Sequence, residues 1–306
     1  MKTNREDFLQ LVERAMADQQ VSHMRAVIEK ELLHYDILFA LEQAGLLDDL
    51  VFQGGTSLRL CYGGNRFSED LDFAGGHDFN SARLAEMKNC IERYIGARYG
   101  LEVTVKEPKE LKTEPTYAEL RIEKWQIAVV TSPENKSLPK QRIKLEVANV
   151  PAYTKQPLSL QANYQFLPSG YSDLLVMTET LDEIMADKVI SLAATKKYVR
   201  NRDIWDLPWL LQQGATLNID LVKRKVSDYK LHDYQQMLDD LIQRLPEIVK
   251  GESLLNEMRR FLPSDVFERT MGKEKFQVYL SNTLLKLFTD VRKALYGSSA
   301  YQEFKM

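Results

Sequence analysis

Gln53-Gly-Gly-Thr-Ser-Leu-Arg59 and Arg66-Phe-Ser-Glu-Asp-Leu-Asp-Phe73 are the two stretches on which the fold of this chain turns. Ahead of the first, Asp49-Leu-Val-Phe-Gln53 is short and apolar enough for a buried strand. Gly54-Gly55 breaks it, Thr56–Tyr62 has the pattern of a short helix, and Leu71–Ala74 is the next strand. Residues two apart in a strand point to one face. Asp70 and Asp72 therefore project together, while Leu71 and Phe73 pack on the other side. Two carboxylates on one face repel unless a cation lies between them. Magnesium takes oxygen ligands, commonly one or two carboxylates together with substrate phosphates. Glycine lets a backbone approach a phosphate closely, and a helix opening at Thr56 offers free N–H groups and a favourable dipole. Gly-Gly alone is most often a turn, and Asp-x-Asp alone most often a solvated strand face. Their order, fifteen residues apart, fits the two halves of one site for a metal-bound nucleoside triphosphate.

Outward from this centre, residues 5–18 and 22–45 have helical spacing, with Val27, Leu32, Leu33, Ile37, Leu38 and Leu41 on an apolar face. Residues 80–99 are expected to be helical, and 101–107, 116–130 and 140–149 to alternate as strands of one sheet. Between 151 and 175, Pro151, Pro157, Pro168 and Gly170 suggest irregular structure, with a hairpin left open. Thr180-Leu-Asp-Glu183 has the spacing of a capping box, and almost everything after it has helical periodicity. The expected fold is α+β: a mixed sheet flanked by helices over residues 1–175, then a mostly helical domain over 176–306.

Composition bounds the function. The 306 residues carry a net charge of −3 and are 44% hydrophobic, with no apolar run long enough for a membrane helix. The opening MKTNREDFLQLVERAM lacks the apolar centre of a secretory signal. Cys61 and Cys90 are too few for a zinc site or a disulfide framework. A reduced, cytoplasmic setting is the expectation. A global basic footprint for nucleic acid is absent, but Lys188, Lys196, Lys197, Arg200 and Arg202 place five positive charges in fifteen residues without an acid. Such a run can attract phosphates locally, although a solvated helix end has the same composition.

A glycine pair and Ser/Thr at a helix start, followed by Asp-x-Asp on the next strand, resembles the polymerase-β-like nucleotidyltransferase superfamily. Val27-Ile-Glu-Lys30, Val51-Phe-Gln-Gly-Gly-Thr-Ser-Leu-Arg59, Arg66-Phe-Ser-Glu-Asp-Leu-Asp72, Asp187-Lys188 and Arg200-Asn-Arg-Asp-Ile-Trp-Asp-Leu207 together resemble the AbiEii/AbiGii (MenT-like) nucleotidyltransferase toxins. The resemblance implies a polymerase-β-like core and transfer of a nucleotide to RNA. Asp70 and Asp72 would hold Mg²⁺. The nucleotide contacts expected are Gly54, Gly55, Thr56, Arg59, Arg66 and Ser68. It also implies a third carboxylate, for which Glu146 in Ile143-Lys-Leu-Glu-Val-Ala148 is the candidate, as metal ligand or general base.

Lys188 stands inside the apolar stripe Leu181, Ile184, Met185, Val189 and Leu192, where a lysine must either reach water or meet a buried anion. In the family the matching lysine is implicated in catalysis, and Asp203 matches the aspartate paired with it. Pro208 interrupts the helix expected there. Lys196, Lys197, Arg200 and Arg202 become candidate RNA contacts. The resemblance further implies the 3′ end of tRNA as acceptor, an antitoxin encoded nearby, and a part in phage defence. Ser68 lies two residues before Asp70, where a phosphate would set negative charge against the carboxylates. Two other functions stay open: nucleotide transfer to a small molecule such as an antibiotic, and nucleotide binding without catalysis.

Overall fold

A computed structural model of the chain describes residues 7–111, 121–135, 137–195 and 197–297. Among these, one unit comprises residues 7–111, 121–179 and 260–263, and the other comprises 180–259 and 264–297.

The first unit is built on a sheet of seven strands. Its elements in chain order are α1 Phe8–Ala15, α2 Arg25–Gln43, β1 Val51–Gln53, α3 Gly54–Cys61, β2 Leu71–Ala74, α4 Met87–Tyr99, β3 Val103–Lys106, β4 Ile122–Val129, β5 Gln141–Ala148, β6 Lys155–Ser159, α5 Ser169–Ser172 and β7 Leu175–Glu179. The strand order is β3-β4-β5-β2-β1-β7-β6. β2 lies antiparallel to β1 and parallel to β5, and β7 runs parallel to β1. Phe52 of β1 stacks on Phe73 of β2 at 5.1 Å between ring centroids, and Trp125, Ile143, Leu145 and Val147 extend the same core.

Helix α2 is the buried axis of this unit. Val27, Ile28, Leu32, Leu33, Ile37, Leu38 and Leu41 are buried, and so are Glu29, Glu31, His34 and Asp36 on its remaining faces. A helix buried all round must pair its charges. Glu31 takes Arg59 and Asp36 takes Arg98, at 2.8 and 2.7 Å.

Several expectations are corrected here. The helix after the glycine pair begins at Gly54 itself, not Thr56. Asp70 stands just before β2 rather than within it. The helix expected over 80–99 starts as a 3₁₀ turn at Ser81–Leu84 before α4. The 151–175 stretch yields β6, an edge strand that tolerates Pro157 because edge positions need no inward N–H donor. Part of the strand expected over 116–130 lies outside the described residues, and β4 starts at Ile122.

The second unit is helical: α6 Leu181–Ala194, α7 Asn201–Gln212, α8 Ile219–Asp228, α9 Tyr234–Lys250, α10 Glu252–Phe261 (its last two residues counted with the first unit), α11 Ser264–Arg269 and α12 Glu274–Tyr296. The capping box expected at its start does not form. Thr180 makes no side-chain cap. Glu183 is buried beside Lys225, whose Nζ stands 2.9 Å from it and 2.7 Å from Asp187. Pro208 lies inside α7, which continues to Gln212. The proline removes one backbone donor without ending the helix.

Candidate active site

The glycine turn and β2 meet closely. Gly54 has φ +79°, and a Cβ built on it would stand 2.7 Å from Asp72 Oδ2, so only glycine fits. A Cβ on Gly55 would run into the Arg66 guanidinium. Thr56 Oγ1 donates to the Asp70 carbonyl, and Ser57 Oγ donates to the Gly54 carbonyl at 2.9 Å. The Lys144 N–H donates to Asp70 Oδ1 at 3.1 Å, tying that carboxylate to β5. In the parallel β2–β5 register, Asp72 is the partner of Glu146. Leu71 and Phe73 are fully buried while Asp70 and Asp72 are half-buried, so the alternation leaves the two acids on the accessible side. Glu146 is held by Lys124 at 3.1 Å.

No group of three or more metal-binding side chains is already gathered among the described residues. The donor chemistry nonetheless suits magnesium. Asp70, Asp72 and Glu146 lie along the β2–β5 pair, all three are half-buried, and hard oxygen donors are what this ion takes. Asp70 and Asp72 are the pair that would hold it. Glu146 would join only by exchanging its Lys124 partner.

The flanking residues have structural partners. Arg59 forks onto Glu31 with Nε and Nη2 at 2.8 and 3.0 Å, donates to the Gly64 carbonyl, and lies over the Phe67 ring. Arg66 is buried and donates to the Phe67 carbonyl at 2.9 Å. Ser68 is buried too. These residues brace the segment between α3 and β2. Just before Asp70, the Glu69 carbonyl meets His34 Nε2 at 3.0 Å, and the Glu69 carboxylate takes Lys30 at 2.8 Å. Burial pushes the His34 imidazole down to about 4, so it is neutral at physiological pH.

In the second unit, Lys188 Nζ stands 2.8 Å from Asp203 Oδ1 and 2.7 Å from Asp206 Oδ2, all three side chains buried. Ser191 donates to Asp203 Oδ2 at 3.0 Å, and Arg200 reaches the same oxygen at 2.5 Å. Burial alone would raise the Asp203 carboxyl. Arg200 and Lys188 more than reverse that and hold it well below the usual carboxylate range. Asp206 escaped the sequence analysis. Its signal is the three-residue spacing from Asp203, which places both carboxylates on one helix face. Of the basic run, Lys197 is exposed beside Tyr198, which is 61% exposed. Arg200 is held by Asp203, and Arg202 lies 3.5 Å from Glu257. Lys196 lies outside the described residues.

The family described as nucleotidyl transferase AbiEii toxin, type IV toxin–antitoxin system, matches residues 36–282, well over half of the chain. Comparison with curated proteins gives no match. Among solved structures, the chain is similar to MenT4, a nucleotidyltransferase toxin from Mycobacterium tuberculosis H37Rv, at 22% identity and TM-score 0.49. That likeness covers 78% of this chain and 72% of the other. It is also similar to JHP933 from Helicobacter pylori, at 22% identity and TM-score 0.45, over 88% of this chain and 93% of the other.

Proposed function

The chain belongs to the AbiEii family of nucleotidyl transferase toxins, and from that premise we propose that it moves a nucleoside monophosphate from a nucleoside triphosphate to the 3′ end of an RNA, with tRNA as the acceptor. The observation that carries this reading is the seat of Asp72 against Gly54, with Asp70 tied to β5 beside it. Without a side chain at Gly54, the backbone and the Asp72 carboxylate lie close enough for a phosphate and a cation to be shared between them.

Asp70 and Asp72 would hold magnesium, with Glu146 as either a third oxygen donor or the general base. Bound there, the ion would offset charge on the triphosphate. The backbone N–H groups of the first turn of α3, which opens at Gly54 and Gly55, would bind the phosphates. The acceptor hydroxyl oxygen attacks the α-phosphorus, its proton passes to a carboxylate such as Glu146, and the bond to the β-phosphate oxygen breaks to release pyrophosphate. Catalysis is mainly positioning and electrostatics. The family's toxin–antitoxin setting supports a cognate antitoxin as partner. Lys197 next to exposed Tyr198 offers a cation and a stacking face, which suits single-stranded RNA ends.

One observation favours a second reading. Arg200 and Arg202 both have carboxylate partners within their own unit, which leaves less free charge for RNA and more scope for a small-molecule acceptor. The test is purified protein with Mg²⁺, each nucleoside triphosphate, and either total tRNA or a panel of small hydroxylated acceptors. Loss of RNA labelling on charge reversal at Lys197, with Asp70→Ala inactive, supports RNA. Full activity of Lys197→Glu on small acceptors and none on RNA in any variant supports the alternative.

A further inference from the structure

Asp70 lies outside β2, so no strand ladder fixes its backbone. Its placement has to come from other contacts. Thr56 takes the Asp70 carbonyl and the Lys144 N–H takes its carboxylate. The remaining handle is the peptide between Glu69 and Asp70. That unit is planar, so whatever holds the Glu69 carbonyl also sets the direction of the Asp70 N–H and hence its φ.

His34 holds that carbonyl. Its Nε2 is 3.0 Å from the Glu69 oxygen, and a carbonyl only accepts, so Nε2 carries the hydrogen and Nδ1 is the bare nitrogen of the neutral ring. The ring sits on α2, where leucine and isoleucine occupy the neighbouring inward positions, and it is 1% exposed. An aliphatic residue would fill this space without a polar atom. One turn earlier on the same helix, Lys30 takes the Glu69 carboxylate at 2.8 Å. A single buried helix therefore grips Glu69 by both backbone and side chain, next to the carboxylate that has to point at the cation.

We infer that His34 is a positioning residue for Asp70, acting through a hydrogen bond to the Glu69 carbonyl. The inference rests on the proposed role of Asp70 as a metal ligand. His34→Leu removes the donor at similar volume, whereas His34→Gln carries an amide N–H near the place of Nε2. The probe is Mn²⁺, whose affinity for the full-length protein is followed by electron paramagnetic resonance, together with kcat and KM for the nucleoside triphosphate and a melting curve. His34→Leu is expected to weaken Mn²⁺ binding about tenfold and lower kcat about tenfold, with KM within about twofold, and His34→Gln to recover most of both, because misaiming one ligand spoils geometry rather than nucleotide binding.

A folded His34→Leu protein with unchanged Mn²⁺ affinity, in which Asp70→Asn still abolishes binding, overturns the inference alone. Mn²⁺ binding that survives Asp70→Asn overturns the metal site and the inference with it. Should His34→Leu not fold, the comparison passes to His34→Gln against the shorter His34→Asn. Equal Mn²⁺ affinity in those two overturns the inference, and tighter binding by the glutamine variant upholds it.

Discussion

Replacing Gly54 by alanine tests the turn that seats Asp72, and Gly63→Ala supplies its control. Both glycines are left-handed, at φ +79° and +72°. An alanine forced into that region costs about 1–2 kcal/mol at either position. The surroundings differ. Nothing lies within 4 Å of a Cβ on Gly63, whereas one on Gly54 meets Asp72 at Oδ2, Cβ and Cγ, at 2.7, 3.3 and 3.4 Å. Ordinary contact begins near 3.4 Å, so the Asp72 oxygen must retreat by about 0.7 Å. Rotation of the side chain relieves this only by turning the carboxylate away from its seat, while Asp72 Cβ, at 3.3 Å and carried by β2, must also give slightly. A misplacement near 1 Å at a reacting centre can cost on the order of 10²-fold in rate. Gly54→Ala should therefore lose about 10- to 100-fold in kcat, while Gly63→Ala keeps kcat within about twofold at a similar loss of stability. The assay is nucleotide transfer at saturating triphosphate, alongside urea unfolding of each variant. Near wild-type kcat in a folded Gly54→Ala protein would refute the reasoning, and so would equal losses in both variants.

Three further outcomes are expected. Arg59→Ala strands the buried Glu31 and should cost about 3–5 kcal/mol in urea unfolding; a stable variant with a raised KM for the triphosphate would instead make Arg59 a nucleotide contact. Lys188→Met takes the shared ammonium from buried Asp203 and Asp206 and should destabilise by a similar amount, about 3–5 kcal/mol. A loss below about 1 kcal/mol would show that Arg200 and Ser191 suffice to hold Asp203. The neutral His34 gives a pH signature. Its folded pKa of about 4 lies below the ordinary 6.5, so between these values the unfolded chain binds a proton that the folded chain does not. Stability should fall as pH drops through that window, by about 3 kcal/mol in all, and then level off below it. Unfolding curves of His34→Gln should lack this component, and an identical pH dependence in the two proteins would contradict it.

The heart of the first unit was legible because its signals are local. The glycine pair, the apolar run before it and the alternation Asp70-Leu71-Asp72-Phe73 each declare themselves within a few residues. The lysine inside the stripe of α6 was legible as a polar group in need of water or an anion, and Asp203 and Asp206 are the anions it meets. What stayed hidden depends on distant partners. β6 has mostly exposed residues and a proline, and β7 is defined by its pairing with β1, far away in the chain. The polar residues of α2 look misplaced until Arg59, Glu69 and Arg98 arrive from elsewhere. Thr180 and Glu183 show the reverse failure. Their spacing promised a cap, but the Thr180 side chain makes none, and Glu183 is buried in an ion pair with Lys225 that local spacing does not reveal.

The central claim is transfer of a nucleotide, not of a terminal phosphate, at Asp70 and Asp72. It is tested most directly by incubating the protein with Mg²⁺, total tRNA and each nucleoside triphosphate labelled at either the α- or the γ-phosphorus, with Asp70→Ala and Asp72→Ala in parallel. The account predicts label on RNA from the α-labelled nucleotide only, absent in both variants. Label arriving from the γ-position, or α-label persisting in either variant, would contradict it.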